Sequence, residues 1–253
     1  MNKLSEIVKF LDEITMRESI KDWNEAHNGL QCENKTGKVT KIASSVDCGL
    51  EDLLRAKKAG VDLLIVHHGI FWSPPIPFTG VNFEKVKLLL DNNIALYSSH
   101  LPLDANNDFG NNVLIAKNLK LEIVDRCFDY YGTKIGVLTN GIKGGVKELE
   151  KSLEKLFPMG IKKMQFGIKN PKKIAICSGG AGSVVAELPS LGVDTLIVGE
   201  LKEHHYVMAQ ELKLNLYQCG HYATETFGVR ALAEICAKEF NLKNVVIKSE
   251  NPL

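Results

Sequence analysis

The chain has 253 residues, 45% of them apolar and 24% charged, with a net charge of +1. That is enough for one large or two modest domains with a real core. A net charge this close to zero argues against a dedicated nucleic-acid binder, and no apolar run approaches the roughly 18 residues of a membrane span. The six cysteines are scattered, with no two-residue spacing between any pair. This speaks against a thiolate zinc site and against a disulfide framework, and fits a reducing cytoplasm.

Leu4, Ile7, Val8 and Leu11 repeat at helical spacing, which predicts an amphipathic helix over residues 3–13 and not a signal peptide. Trp23 to Gln31 reads as polar and turn-like, with His27 as a surface or capping residue and Gly29 where backbone passes close to something else. Lys38 to Val46 reads as a strand ending in Asp47, and Leu50 to Ala59 as a helix closed by Gly60. Leu63 to Val66 has no polar alternation and reads as a strand buried on both faces. It ends in His67-His68, where open α/β sheets build their sites. Ser73 to Pro77 cannot be helix interior or central strand, and predicts a rigid loop over that site. A helix is expected over 83–92 and a strand over 94–98, followed by His100 and Asp104, then a helix over 110–119. Residues 134–139 and 164–168 read as strands around a helix at 146–157.

Lys41-Ile42-Ala43 recurs as Lys173-Ile174-Ala175. At the same offset Gly60-Val61-Asp62 matches Gly192-Val193-Asp194, and Leu64-Ile65-Val66 matches Leu196-Ile197-Val198. After small slips, His100 and Asp104 match His221 and Glu225. The repeat predicts an α/β fold of two related lobes with mixed sheets flanked by helices. The expected divisions are 1–120, a connecting α+β segment at 121–170, and 171–253. Gly199-Glu200 replaces the His-His pair in the second half, so the expected site is asymmetric.

His67, His68, Asp104, His221 and Glu225 form a nitrogen-and-carboxylate set without sulfur, suited to zinc, iron, manganese or nickel. Five side chains exceed the three of a simple catalytic zinc site, and suit two ions about 3.5–4 Å apart in the crevice between the lobes. His100 is placed to ligate, to orient a ligand or to carry protons. The bland alternative is a set of polar cleft residues. His204 and His205 open a helix, where neighbouring side chains splay apart, and are expected on its surface or behind a ligand. Ser178-Gly179-Gly180-Ala181-Gly182-Ser183 reads as a tight turn in preference to a phosphate cradle, and the lysines at 162, 163, 169, 172 and 173 as a solvated face.

Gly29-Leu30-Gln31, Val66 to Trp72, His100 to Ala105 and Gly220 to Glu225 together resemble the Nif-three-like family. Its members are commonly named GTP cyclohydrolase I type 2 homologs. The resemblance spans nearly the whole chain and implies a dinuclear metal centre on the same five residues. It also implies a toroidal homohexamer, here in a short form without the inserted middle domain. The expected function is a metal-dependent hydrolase using metal-bound water on a nucleotide-like or phosphorylated small molecule. No P-loop is present to hold a triphosphate. The competing expectation is a non-catalytic metal-binding scaffold with nucleic acid or protein partners.

Overall fold

A computed structural model describes residues 2–72, 77–249 and 251. In chain order, the elements begin with β1 (Asn2–Lys3), α1 (Leu4–Ile14), β2 (Gly29–Cys32), β3 (Lys38–Val39), β4 (Lys41–Ser45), α2 (Leu50–Ala59) and β5 (Leu63–Val66). Next come α3 (Gly80–Asp91), β6 (Ala95–Ser98), α4 (Leu101–Asp104), α5 (Asn111–Asn118), β7 (Ile123–Tyr130), β8 (Thr133–Asn140) and α6 (Gly145–Leu156). The chain closes with β9 (Lys162–Gln165), β10 (Lys173–Cys177), β11 (Thr195–Val198), α7 (His205–Glu211), β12 (Asn215–Gln218), α8 (His221–Glu239) and β13 (Lys243–Val246). No helix among the described residues is long and apolar enough to cross a membrane.

The chain divides into two compact units, one reaching Leu103 and resuming at Gly228, the other running from Asp104 to Phe227. The first is built on a five-stranded sheet in the order β13-β4-β5-β6-β2. Its middle strands are parallel, with Ala43 opposite Leu64 and Leu64 opposite Leu96, and β2 closes one edge antiparallel to β6. All four residues of β5 are fully buried, as the uninterrupted aliphatic run requires. Leu53 and Ala56 of α2 and Leu89 of α3 cover one face. Gly49 N–H donates to Asp52 Oδ2 (3.1 Å) at the start of α2, and Gly60 ends it in the left-handed region at φ 62°.

The second unit has a six-stranded sheet in the order β7-β8-β10-β11-β12-β9. Strands β10, β11 and β12 are parallel, while β8 and β9 add antiparallel at either side. Alternate side chains feed two cores. Ala175, Cys177, Leu196 and Leu216 face one way, and Ile174, Ile176, Ile197 and Tyr217 the other, under Leu149 and Leu153 of α6.

The positions that repeat in the sequence do the same work in each unit. Asp62 Oδ2 accepts the N–H groups of Thr40 (2.7 Å) and Lys41 (3.0 Å), and Asp194 Oδ2 accepts those of Lys172 (2.8 Å) and Lys173 (3.2 Å). Lys41 Nζ donates to Ala59 O, and Lys173 Nζ to Leu191 O. Each aspartate precedes a central strand and locks the entrance of its neighbour.

Several expectations change. Residues 121–170 are not a connecting segment, because β7, β8 and β9 are built into the second unit's sheet. The boundaries near 120 and 171 give way for the same reason, and the C-terminal stretch returns to the first unit because β13 pairs with β4. Trp23 to Gln31 is not turn throughout: Asn24–Ala26 is a 3-10 turn, and β2 pairs beyond it. Strand 38–46 is broken into β3 and β4. The rigid loop expected at Ser73–Pro77 lies, except for Pro77, outside the described residues.

Candidate metal centre

In the first unit, parallel pairing brings the ends of β4, β5 and β6 to one edge. The N–H groups of His67 and His68 both donate to Val46 O, at 3.0 and 2.8 Å, which turns the chain at the end of β5. Three imidazoles then gather: ring centroids lie 4.9 Å apart for His67–His68 and for His67–His100, and 5.7 Å for His68–His100. All three rings are buried. One nitrogen from each lies within 4.8 Å of the others, a spacing at which they could hold a metal ion.

Each ring is oriented through Nδ1. His67 Nδ1 meets Ser99 O at 2.8 Å, His68 Nδ1 meets Asp47 Oδ1 at 2.8 Å, and His100 Nδ1 meets both Asp22 oxygens at 3.0 Å. A carbonyl oxygen can only accept, so Nδ1 of His67 carries the proton and Nε2 the lone pair. The carboxylates favour the same tautomer in the other two. Imidazole held by carbonyl or carboxylate on its far nitrogen is the arrangement that orients metal-ligating histidines. Burial opposes the charge on Asp22, but His100, Asn28 Nδ2 (2.8 Å) and Leu101 N–H (2.9 Å) outweigh it and hold the carboxyl below its usual range.

Gln31 ties this corner together. Its amide donates to Ala26 O (3.2 Å) and His27 O (3.0 Å), and its Oε1 accepts Ile70 N–H (2.8 Å). A Cβ on Gly69 would lie 2.2 Å from that amide, so the turn after the histidines has no room for a side chain. Trp72 stacks on His68 with centroids 4.4 Å apart and lies 4.3 Å from His100.

In the second unit, acidic groups surround the turn after β10. Asp104 Oδ1 accepts Asn111 Nδ2 (2.8 Å) and the Ser178 hydroxyl (3.2 Å). Glu225 Oε1 lies 3.2 Å from His221 Nε2 across the first turn of α8, and Glu200 Oε1 lies 3.4 Å from His221 Nδ1. Gly179 sits at φ +66°, and a Cβ there would fall 2.4 Å from Glu225 Oε1 and 3.4 Å from His221 Nε2. The backbone therefore makes space for the carboxylate that no other residue would leave. Burial disfavours a charged His221, yet Glu225 and Glu200 prevail and push its pKa up to about 9. Burial also pushes the Cys177 thiol well up, with Asp104 and Glu225 adding to it.

The structure thus brings His67, His68 and His100 together in the first unit, and places Asp104, His221 and Glu225 around the Ser178–Gly179 turn in the second. Asp22 and Asp47 orient two of the rings and were missed as functional residues. For Asp47 a signal existed: it ends the strand beside the one that ends in the histidines. Asp22 is 78 residues from His100 and had none. His27 is exposed and closes the 3-10 turn at φ 42°, a capping role as expected. His204 is exposed, while His205 is buried with Nδ1 on Lys202 and its ring against Gly182. The 178–183 segment is a tight turn whose first amides are engaged, Ser178 N–H by Asn112 Oδ1 (2.7 Å) and Gly179 N–H by Thr224 Oγ1 (3.1 Å). Lys163 pairs with Glu150 and Glu154 on the surface.

Fold and side chains define a mixed α/β protein carrying imidazole and carboxylate clusters that could hold a metal ion, and the sulfur-free donors fit first-row divalent ions. The sequence profile of Duf34/NIF3 (NGG1p interacting factor 3) matches residues 2–252, and the chain belongs to that family. It is 40% identical over 249 residues to a GTP cyclohydrolase 1 type 2 homolog of Pyrococcus horikoshii, covering 98% of this chain and 97% of that one. Among solved structures it is similar to protein ybgI, described as of unknown function, with a TM-score of 0.91, 32% identity and all of both chains covered. It is also similar to reduced HcgD from Methanocaldococcus jannaschii, with a TM-score of 0.86, 26% identity and 98% of each chain covered.

Proposed function

We propose that His67, His68, Asp104, His221 and Glu225 together hold two divalent cations, and that the protein is a metal-dependent hydrolase acting on a nucleotide-like or phosphorylated small molecule. The observation that carries this reading is the set of three buried rings, each fixed through Nδ1 by an oxygen acceptor, which leaves Nε2 of His67 and His68 as the coordinating nitrogen and Nε2 of His100 as the one that exchanges a proton. Asp104 and Glu225 bring the negative charge that imidazoles lack. Bound cations would supply Lewis acidity and lower the pKa of water. In this reading His67 and His68 are ligands, and His100, with its Nδ1 proton on Asp22, takes or delivers a proton at Nε2. The relatives named GTP cyclohydrolase 1 type 2 homolog lend support to a hydrolytic, nucleotide-directed activity. Assembly into a toroidal homohexamer and duplication of one ancestral α/β unit belong to the same proposal.

The test is anaerobic purification with elemental analysis, followed by a hydrolysis screen over nucleotides and phosphoesters with each metal restored. Asp104→Ala and Glu225→Ala are expected to lower metal content and hydrolysis together. Metal content unchanged in both variants rejects the assignment.

A second reading, a metal-binding scaffold for nucleic acid or protein, draws on the engagement of the first two amides of the 178–183 turn, Ser178 and Gly179, which takes them away from a substrate phosphate. Steep salt dependence in binding of single strands, without turnover of any small molecule, is its signature.

A further inference from the structure

The chain has two tryptophans, and folding brings both to the imidazole cluster. They are placed differently. Trp72 lies over His68 and against His100, its ring occupied by the histidines. Trp23 lies outside it, 5.4 Å from Trp72 at an interplanar angle of 33°, and 5.4 Å from His100. Its residue remains 38% exposed.

An exposed indole gains little from burial, yet the backbone that carries this one is anchored on both sides. Trp23 N–H donates to Asp22 Oδ1 (2.7 Å), and its carbonyl accepts Ala26 N–H (3.0 Å). The Asp22 side chain is itself buried and bonds the His100 ring. One carboxylate therefore sets both the indole's backbone and an imidazole of the cluster. A rigid aromatic face beside candidate ligands is suited to stack a flat ring and hold it at a fixed distance from them.

We propose that Trp23 is the stacking platform for a planar heteroaromatic ring of nucleobase size, which places the substrate beside the His67–His68–His100 cluster. This rests on the hydrolase reading for its choice of ligand, and deepens it. Among the described residues of the same segment, Asp22 bonds His100 and Leu101, Asn28 bonds Asp22 and His100 N–H, and Gln31 bonds backbone. Recognition by Trp23 is thus of a flat π face, tolerant of which purine is offered. A single mononucleoside is favoured over a nucleic-acid strand, because one indole offers a face for one base and a net charge of +1 gives no basic excess to follow a run of phosphates.

Both tryptophans lie here, so fluorescence excited selectively in tryptophan reports this corner alone. The metal-containing protein is titrated with guanosine, with adenosine, and with ribose 5-phosphate as the ring-less control. Saturable quenching by both nucleosides and none by the sugar phosphate is expected. Trp23→Leu, read through Trp72, should weaken nucleoside binding ten- to hundred-fold with metal content unchanged, and Trp23→Phe should weaken it less. Nucleosides that bind no better than ribose 5-phosphate overturn the proposal, as does a folded Trp23→Leu variant that binds them like the wild type. If Trp23→Leu loses its thermal transition, the wild-type and Trp23→Phe titrations decide. An oligonucleotide that binds far more tightly than either nucleoside, with steep salt dependence, also overturns it. Nucleoside binding without any hydrolysis would sink the hydrolase reading alone. Metal-dependent hydrolysis of a ring-less phosphoester without nucleoside binding would sink this one alone.

Discussion

In the first unit the central strand β5 runs into two imidazoles; in the second, the strand at the matching position, β11, runs into Gly199-Glu200. The local packing explains the exchange. A Cβ at Gly199 would lie 2.5 Å from Gly179 O and 2.7 Å from Thr224 Oγ1, because the turn after β10 is laid across that position. The matching turn in the first unit instead presents Asp47, whose carboxylate holds His68. Similar parallel strands therefore carry different side chains: three imidazoles fixed by oxygen acceptors in one unit, and carboxylates with one imidazole around a glycine turn in the other. Neutral nitrogens give geometry and carboxylates give charge.

The comparison can be broken most severely at the glycine. Gly179→Ala forces a Cβ into Glu225 Oε1 at a positive φ, and should cost about 1–3 kcal/mol of stability and most of the metal content, read by thermal melting and elemental analysis. Retained metal in that variant would mean Glu225 is not a ligand. In the first unit, Asp47→Asn and Asp22→Asn should each lower metal affinity roughly 10–100-fold while the fold persists, measured by competition with a chromophoric chelator. Affinity untouched by both changes would leave the ring anchors with a packing role only.

The likeness of the units is sharpened by Asp62→Ala and Asp194→Ala. Each removes a carboxylate that accepts two backbone N–H groups, and each should cost about 1.5–3 kcal/mol by denaturant titration. Effects of very different size would show that the two locks are not equivalent.

The smallest effect concerns pH. His221 has its pKa raised from 6.5 to about 9, so the metal-free protein gains stability from the charged ring. That gain is complete below about pH 6.5 and is lost as pH rises through about 9. Since the ring is partly exposed, about 1–2 kcal/mol is expected. Melting of chelator-treated protein should therefore weaken across that window, and His221→Gln should flatten the dependence. A wild-type profile as flat as the variant's would remove the Glu225–His221 pair from the account.

Much of this was written in local sequence. The aliphatic run Leu63–Val66 could only be a buried strand, and Gly60 closed the helix before it because a left-handed residue was needed there. The recurrence of Lys41 and Asp62 at Lys173 and Asp194 fixed two strand entrances, since the same short-range hydrogen bonds form wherever that pattern occurs. The nitrogen and carboxylate donors could be named because ligand chemistry belongs to residue type.

Tertiary structure decided what depends on distant segments meeting. Strand β13 returns to β4, and β7 to β9 extend a sheet instead of joining two lobes, because edge strands find partners by hydrogen bonding and not by sequence order. Asp22 became the anchor of His100, and Trp23 its aromatic neighbour, only when the 22–28 segment folded over the end of β6. Sequence names the groups that can do chemistry. The packing of the chain decides which nitrogen of each ring is held and which is left to act.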